Sequence, residues 1–238
     1  YDGTIQRFRN GDDDKPNSWY VGYRKGDFES GAFGCWKLGV SETYCNKDKS
    51  EFTTDEKRAF AIQQSEIRAK REAESEAKHQ QSEVNVNEKW SNIDVVEHHP
   101  YLIDKGVHSY DLRQENGSLQ IPLFNVDGEM VNIQSINAKG EKRFTKGAEK
   151  KGCFYLLGEV TDTILFCEGY STGASIYEAT KIATAICFDS GNLKSVALEL
   201  GSKHPNAKLL VCGDDDIHNE VNTGRIKARE TATHVGGS

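Results

Sequence analysis

The sequence has six cysteines, Cys35, Cys45, Cys153, Cys167, Cys187 and Cys212, and no C-x-x-C pair among them. That argues against a zinc ribbon in this chain. No stretch reads as a signal peptide, and no apolar run is long enough to span a bilayer. These absences imply a reduced, cytoplasmic chain with no membrane partner. Positive charge is scarce as well. Thirty Lys and Arg face 37 Asp and Glu, a net charge of −7. This excludes a protein that coats DNA over its whole surface, but not a nucleic-acid enzyme with a local basic patch. Apolar residues make up only 36% of the chain, so part of it should be solvated or extended. The chain begins at Tyr1 rather than Met and reads as a fragment, from which a zinc-bearing or helicase part could be missing.

What is present divides into four stretches. Residues 1–52 are rich in Gly, aromatics and turn pairs and read as a small β-rich module. Strands are expected over residues 4–8, 18–23 and 31–36. The turn Gly11-Asp12-Asp13-Asp14 lacks the spacing and terminal Glu of an EF-hand loop and reads as solvated. The aromatics are expected mainly to fill the core of this sheet. Interleaved with Arg7, Arg9, Arg24 and Lys25, they could instead stack single-stranded bases. Residues 53–84 form a connector. Thr53 or Thr54 caps a helix with Asp55 and Glu56 in its first turn, and the helix stays polar on nearly every face to about Ser82.

Residues 85–158 read as a basic lobe. A short helix is expected over residues 100–105, stopped by Gly106. Apolar strands on either side of Asp127-Gly128 signal a hairpin. The stretch 139–151 is the most basic in the chain, with Lys142, Arg143, Lys146, Lys150 and Lys151. It is either a solvated edge strand or a surface that faces phosphate. Gln134 could make polar contacts in the same groove, but as a strand Gln it is more simply read as exposed. Residues 159–238 repeat a strand–helix unit, which means a parallel sheet with flanking helices.

The sharpest feature lies in that last stretch. Ile164-Leu165-Phe166-Cys167 ends at Glu168-Gly169, and Leu209-Leu210-Val211-Cys212-Gly213 ends at Asp214-Asp215-Asp216. Carboxylates at the carboxyl ends of neighbouring parallel strands share one crevice. They repel one another unless a divalent cation lies between them. Glu168, Asp214 and Asp216 therefore point to a magnesium site for phosphate chemistry. Asp214 and Asp216 can face one site from an extended loop, with Asp215 turned elsewhere. Gly169 is expected to allow a sharp turn into the next helix, whose N-terminus favours phosphate. Asp189 ends the middle strand and either joins the site or caps the following helix. Asn222 and Gly224 are expected to shape the start of the last helix.

Glu168-Gly169 with Asp214-x-Asp216 resembles the Toprim domain of bacterial-type primases, topoisomerases and certain nucleases. His99-Pro100-Tyr101-Leu102-Ile103-Asp104-Lys105-Gly106-Val107, Asp189-Ser190-Gly191-Asn192-Leu193 and Asn222-Thr223-Gly224 narrow this to the Toprim primases of phages and plasmids. The opening Asp2-Gly3 through Gly31-Ala32-Phe33-Gly34 and Trp36 is similar to the segment preceding the core in those proteins. The resemblance implies an α/β (α+β overall) chain: a C-terminal Toprim sheet, a mixed basic lobe before it and the β-rich module at the start. It implies synthesis of short RNA primers on single-stranded DNA by two-metal nucleotidyl transfer. Glu168, Asp214 and Asp216 would be the catalytic and metal residues, with two Mg2+ or Mn2+ ions. Lys142, Arg143 and Lys146 would hold nucleoside triphosphate or template. Partners would be single-stranded DNA, nucleoside triphosphates and a replicative helicase, in the bacterial host cytoplasm. The rivals are a Toprim nuclease and a non-catalytic module that recruits DNA or a helicase. A topoisomerase is disfavoured, because little room is left for a strand-cleaving tyrosine domain.

Overall fold

The computed structural model describes residues 3–11, 14–25, 28–47, 53–215 and 222–237. The chain is a mixed α/β protein that divides into two units, Tyr1–Lys70 and Arg71–Ser238.

The first unit holds an antiparallel meander of β1 (Gln6–Phe8), β2 (Ser18–Lys25), β3 (Phe28–Cys35) and β4 (Val40–Cys45). Asp12 and Asp13 of the acidic turn lie outside the described residues. Phe8 pairs with Ser18, Tyr20 with Phe33, and Gly31 with Tyr44. The glycines of β3 answer to close approach. A Cβ on Gly31 would lie 2.5 Å from the Val21 carbonyl oxygen, and one on Gly34 would lie 3.0 Å from the Trp19 ring. Trp19 stacks on Trp36 at 5.8 Å, and the Arg7 guanidinium lies 4.6 Å from the Trp36 ring centroid. The expectation that most aromatics fill a core does not hold. Phe8, Tyr20, Phe33, Trp36 and Tyr44 are about half exposed. Among the described residues of this sheet only Ser18, Val21 and Cys35 are buried.

Helix α1 (Thr54–Ser91) carries the chain from the first unit into the second. It runs nine residues past the expected end near Ser82, and the physical reason is packing. Its last turns are polar in sequence, yet Val86 is almost completely buried against Met130 and Ile133, with Trp90 beside them.

The second unit continues with β5 (Asp94–Val95), α2 (Pro100–Lys105), β6 (Arg113–Glu115), β7 (Ser118–Phe124), β8 (Met130–Ile136) and β9 (Lys142–Phe144). The five strands form one antiparallel sheet in sequence order. His99 caps α2 by accepting the Tyr101 amide, and Gly106 ends it in the left-handed region. The two hairpin turns after β7 and β8 use one device. Asn125 Oδ1 accepts the amides of Asp127 and Glu129, and Asn137 Oδ1 those of Lys139 and Glu141. Gly128 and Gly140 supply the positive φ each turn requires.

A second sheet follows, made of β10 (Tyr155–Leu157), β11 (Thr163–Cys167), β12 (Thr184–Ile186) and β13 (Lys208–Val211) in the order β10-β12-β11-β13. The last three strands are parallel, as their spacing predicts, and β10 adds an antiparallel edge. Helices α3 (Tyr170–Thr180), α4 (Leu193–Lys203) and α5 (Thr223–Val235) connect and follow these strands. Phe166, Ala185 and Cys187 face α4, while Cys167 and Ile186 face the antiparallel sheet. On that second side one core joins Leu119, Ile121, Leu123 and Ile136 to Tyr155, Leu157, Tyr170 and Ala174. Residues on both sides of position 158 thus share a single core. Cys153, Cys167 and Cys187 are buried and reduced. Burial pushes the Cys153 thiol up to about 12, with Glu149 and Glu199 adding to the shift.

Candidate active site

Strand order decides what can meet. Strand β11 lies between β12 and β13, so three strand ends stand side by side. The β12 end carries Asp189, the β11 end Glu168 and the β13 end Asp214. Phe166 is level with Val211, and the Cys212 amide donates to the Phe166 carbonyl at 2.8 Å. Glu168 and Asp214 therefore leave adjacent strands at nearly the same height. Both are half-buried, and Glu168 Oε1 is shielded from solvent. Asp215 is exposed and accepts from Asn222 Nδ2 at 2.6 Å. Asp216 lies outside the described residues. Among the described residues no group of three or more His, Cys, Asp or Glu side chains is placed to hold a metal ion.

Gly169 is the N-cap of α3, with φ −107° and ψ 154°, which is ordinary extended backbone. The turn therefore does not need glycine for its conformation, contrary to the sequence expectation. What the missing side chain leaves is space. A Cβ there would lie 3.6 Å from Lys142 Nζ. The ammonium of Lys142, from the edge strand β9, thus sits over the N-terminus of α3. No side chain caps that helix, so its first amides stay open toward the lysine. A cation beside free helix amides is a setting for phosphate.

The rest of the basic stretch is spread out. Side chains alternate along a strand, so Arg143 projects from the face of β9 opposite to Lys142 and Phe144. Lys146 is exposed in the turn that follows. Lys150 reaches the site by another route and forms an ion pair with Asp189. The second Asp189 oxygen accepts the Asn192 amide at 2.9 Å, so Asp189 also caps the approach to α4.

Several further polar residues support the site. Gln134 is buried, not exposed as expected, and so are Gln120 and Asn132. The pairing is internal: Gln120 accepts from Ser135 at 2.7 Å, and Asn132 donates to the Glu149 carbonyl at 2.7 Å. Asn192 Nδ2 binds the carbonyls of Lys150, Cys153 and Cys187, and its Oδ1 accepts the Gly152 amide. It ties the basic loop to the parallel sheet. Asn222 caps α5 by accepting the Arg225 amide at 3.1 Å. A Cβ on Gly213 would lie 2.5 Å from Ala228 and 3.2 Å from the Gly224 carbonyl oxygen, so that helix packs close against the strand end. Arg225 and Arg229, one turn apart on α5, line a cavity of about 280 Å³ with Gly213, Asp214 and Asp215.

Tyrosines and one acid hold the antiparallel sheet to α3. Tyr170 is fully buried, donates to the His108 carbonyl at 3.0 Å and accepts the Tyr110 amide at 3.1 Å. Glu178 accepts from the His108 amide at 2.9 Å and from Tyr110 at 3.3 Å, with His108 Nδ1 at 3.0 Å. Partial burial alone would raise the Glu178 carboxyl, but these bonds and the His108 ring outweigh it and hold it below the usual carboxylate range.

The site thus brings together carboxylates at the ends of adjacent strands, a helix N-terminus without a side-chain cap, and a lysine near that N-terminus. The chain is 38% identical over 193 residues to a DNA primase TraC of Escherichia coli, covering 74% of the chain and 18% of that protein. A second Escherichia coli DNA primase TraC is 31% identical over 234 residues, 93% of the chain and 16% of the relative. The chain is thus related to DNA primases, in agreement with the resemblance read from its motifs, and spans less than a fifth of either relative. It matches no known family profile. The primase fragment of the bacteriophage T7 primase-helicase covers 56% of the chain at 12% identity with a TM-score of 0.39, over 55% of that fragment. Among the described residues no helix is long and apolar enough to cross a membrane.

Proposed function

We propose that this chain carries the catalytic core of a DNA primase, which joins ribonucleotides into short primers on single-stranded DNA. The observation that carries the reading is the position of Lys142 over the Glu168–Gly169 turn. In this reading the Lys142 ammonium would bind phosphate near the end of β11, whose strand neighbour β13 ends at Asp214. The relatives named DNA primase support the same reaction class.

Glu168 and Asp214 present hard oxygen donors from adjacent strands. That suits Mg2+ or Mn2+, which take one or two protein carboxylates and complete their shell with water and substrate phosphates. Asp216 would be a further ligand. When bound, such ions neutralise phosphate charge and lower the pKa of the attacking hydroxyl. Lys142 and the open amides of α3 would hold the triphosphate. Glu168 would orient the 3′-hydroxyl and take up its proton. Arg225 and Arg229 would bind backbone phosphates of the template or the primer. Arg143 and Lys146, on other surfaces, would serve DNA rather than triphosphate. The Toprim class, two ions, a helicase partner and the cytoplasm of a bacterial host belong to the same reading.

The nuclease reading differs in outcome. With single-stranded DNA, labelled ribonucleoside triphosphates and Mg2+ or Mn2+, label should enter a polymer that depends on the template. Cleavage of the DNA without incorporation would favour the nuclease. Binding without either reaction would favour a recruiting module.

A further inference from the structure

Strand β9 is three residues long and, among the described residues, pairs only with β8. Such an edge is poorly held by its own backbone. Yet Lys142 and Phe144, on one face of it, lie near the ends of two different strands of the parallel sheet. Lys142 lies over the end of β11, at Gly169. Phe144 lies over the end of β12, with its ring edge-on to Phe188 at 6.1 Å. Two residues along a strand span about 6.6 Å, and neighbouring strands lie about 4.8 Å apart, so β9 can bridge the two ends only if it is fixed across them.

Lys150 is placed to fix it. Its ammonium lies 5.2 Å from the Phe144 ring centroid and pairs with the Asp189 carboxylate at the β12 end. Asp189 is itself held by the Asn192 amide, and Asn192 binds the Lys150 carbonyl at 3.1 Å. Phe188, directly before Asp189, sits at φ +70° although it is bulky and buried. A side chain of that kind persists in the left-handed region only where its surroundings impose it. Phe144, Lys150, Phe188, Asp189 and Asn192 thus form one clasp between the basic loop and the parallel sheet.

We infer that Lys150 and Asp189 are positioning residues, whose ion pair sets β9 so that Lys142 stands over the α3 N-terminus and the Glu168 turn. The inference deepens the primase reading and rests on it for its kinetic consequence. On this inference both act through Lys142 and not on the substrate itself. Lys150→Met removes the pair from one side. Asp189→Asn removes it from the other while keeping an oxygen for the Asn192 amide.

Both variants should raise the nucleotide KM about tenfold, because a misplaced Lys142 no longer meets the triphosphate, and leave kcat within about twofold. Hydrogen exchange at residues 142–144 should quicken in both, while Mn2+ affinity stays unchanged. Lys150→Arg should restore the KM. A KM rise in Lys150→Met alone would overturn the inference, since it would make Lys150 a direct phosphate ligand freed by Asp189→Asn. Loss of Mn2+ affinity in Asp189→Asn would also overturn it, by making Asp189 a metal ligand. Unchanged exchange at residues 142–144 would show that no clasp exists. If the wild-type chain makes no primer, the functional reading falls, and the exchange measurement still decides the clasp.

Discussion

The sheet that opens the chain and the sheet that closes it follow opposite rules. Among its described residues the first buries only Ser18, Val21 and Cys35, and leaves Phe8, Tyr20, Phe33 and Tyr44 half exposed. The parallel sheet buries Ile164, Phe166, Ala185 and Ile186 completely, between α4 on one face and the antiparallel sheet on the other. A strand covered on both faces can hold a charged residue rigidly at its end. A single layer of exposed aromatics cannot, and offers surface instead. The candidate chemistry therefore belongs to the second unit, and the first unit is suited to contact.

The largest effect should separate two carboxylates. Asp214→Asn should lower primer synthesis about 100-fold or more, since under the proposed function it removes a metal ligand. Circular dichroism and thermal unfolding should stay unchanged. Asp14→Asn, in the exposed turn of the first unit, should leave synthesis as it was. An equal loss in both variants would break the comparison.

Two phenylalanines sharpen it on stability. Phe166 is fully buried, and Phe166→Ala should destabilise the second unit by about 3–5 kcal/mol in urea unfolding. Phe33 is half exposed, and Phe33→Ala should change stability by less than about 0.5 kcal/mol. Its loss should appear, if the exposed aromatics stack bases, as weaker binding of single-stranded DNA by about 1–3 kcal/mol.

Truncation tests where the second unit begins. A chain starting at residue 71 keeps Val86 and Trp90 on Met130 and Ile133 and should unfold at the same urea concentration as the second unit of the full chain. One starting at residue 93 loses those contacts and should be weaker by about 3 kcal/mol. Equal midpoints for the two truncations would show that the last turns of α1 add nothing to this core.

The smallest effect concerns pH. The Glu178 carboxyl is held below its ordinary range in the folded state. Its stabilising contribution is therefore full above the unfolded carboxylate value, near 4.3, and is lost as pH falls through the lowered folded value. Glu178→Gln should cost about 1 kcal/mol at pH 7 and flatten the acid limb of stability below the unfolded carboxylate value. An unchanged acid limb would remove Glu178 from the set of groups that hold α3.

Much of the second unit was legible. The apolar runs of β11 and β13 stop at carboxylates, Asp127-Gly128 marks a hairpin, and Gly106 ends α2. The turn pattern Asn-x-x-Gly-Glu recurs at 125–129 and 137–141 and carries its own hydrogen bonds. What escaped depends on tertiary context. Strand β10 is a three-residue edge, too short for a local signature, and every residue of β4 is exposed, so β4 shows no burial pattern. Gln134 reads as a surface residue from sequence, and the burial of Gln120, Asn132 and Gln134 appears only in the folded sheet. The separation of Lys142 from Arg143 follows from strand alternation, but which of them faces the acids does not. Lys150 and Asp189 lie 39 residues apart, and nothing in either stretch announces the other.

The most direct test of the central claim is pyrophosphate release from ribonucleoside triphosphates, measured with single-stranded DNA and Mg2+ or Mn2+ in the wild-type chain and in Asp214→Asn. Release should require both template and metal, and should fall about 100-fold or more in the variant while its unfolding curve is unchanged. Release at the same rate in both proteins would contradict a nucleotidyl-transfer site at the ends of β11 and β13.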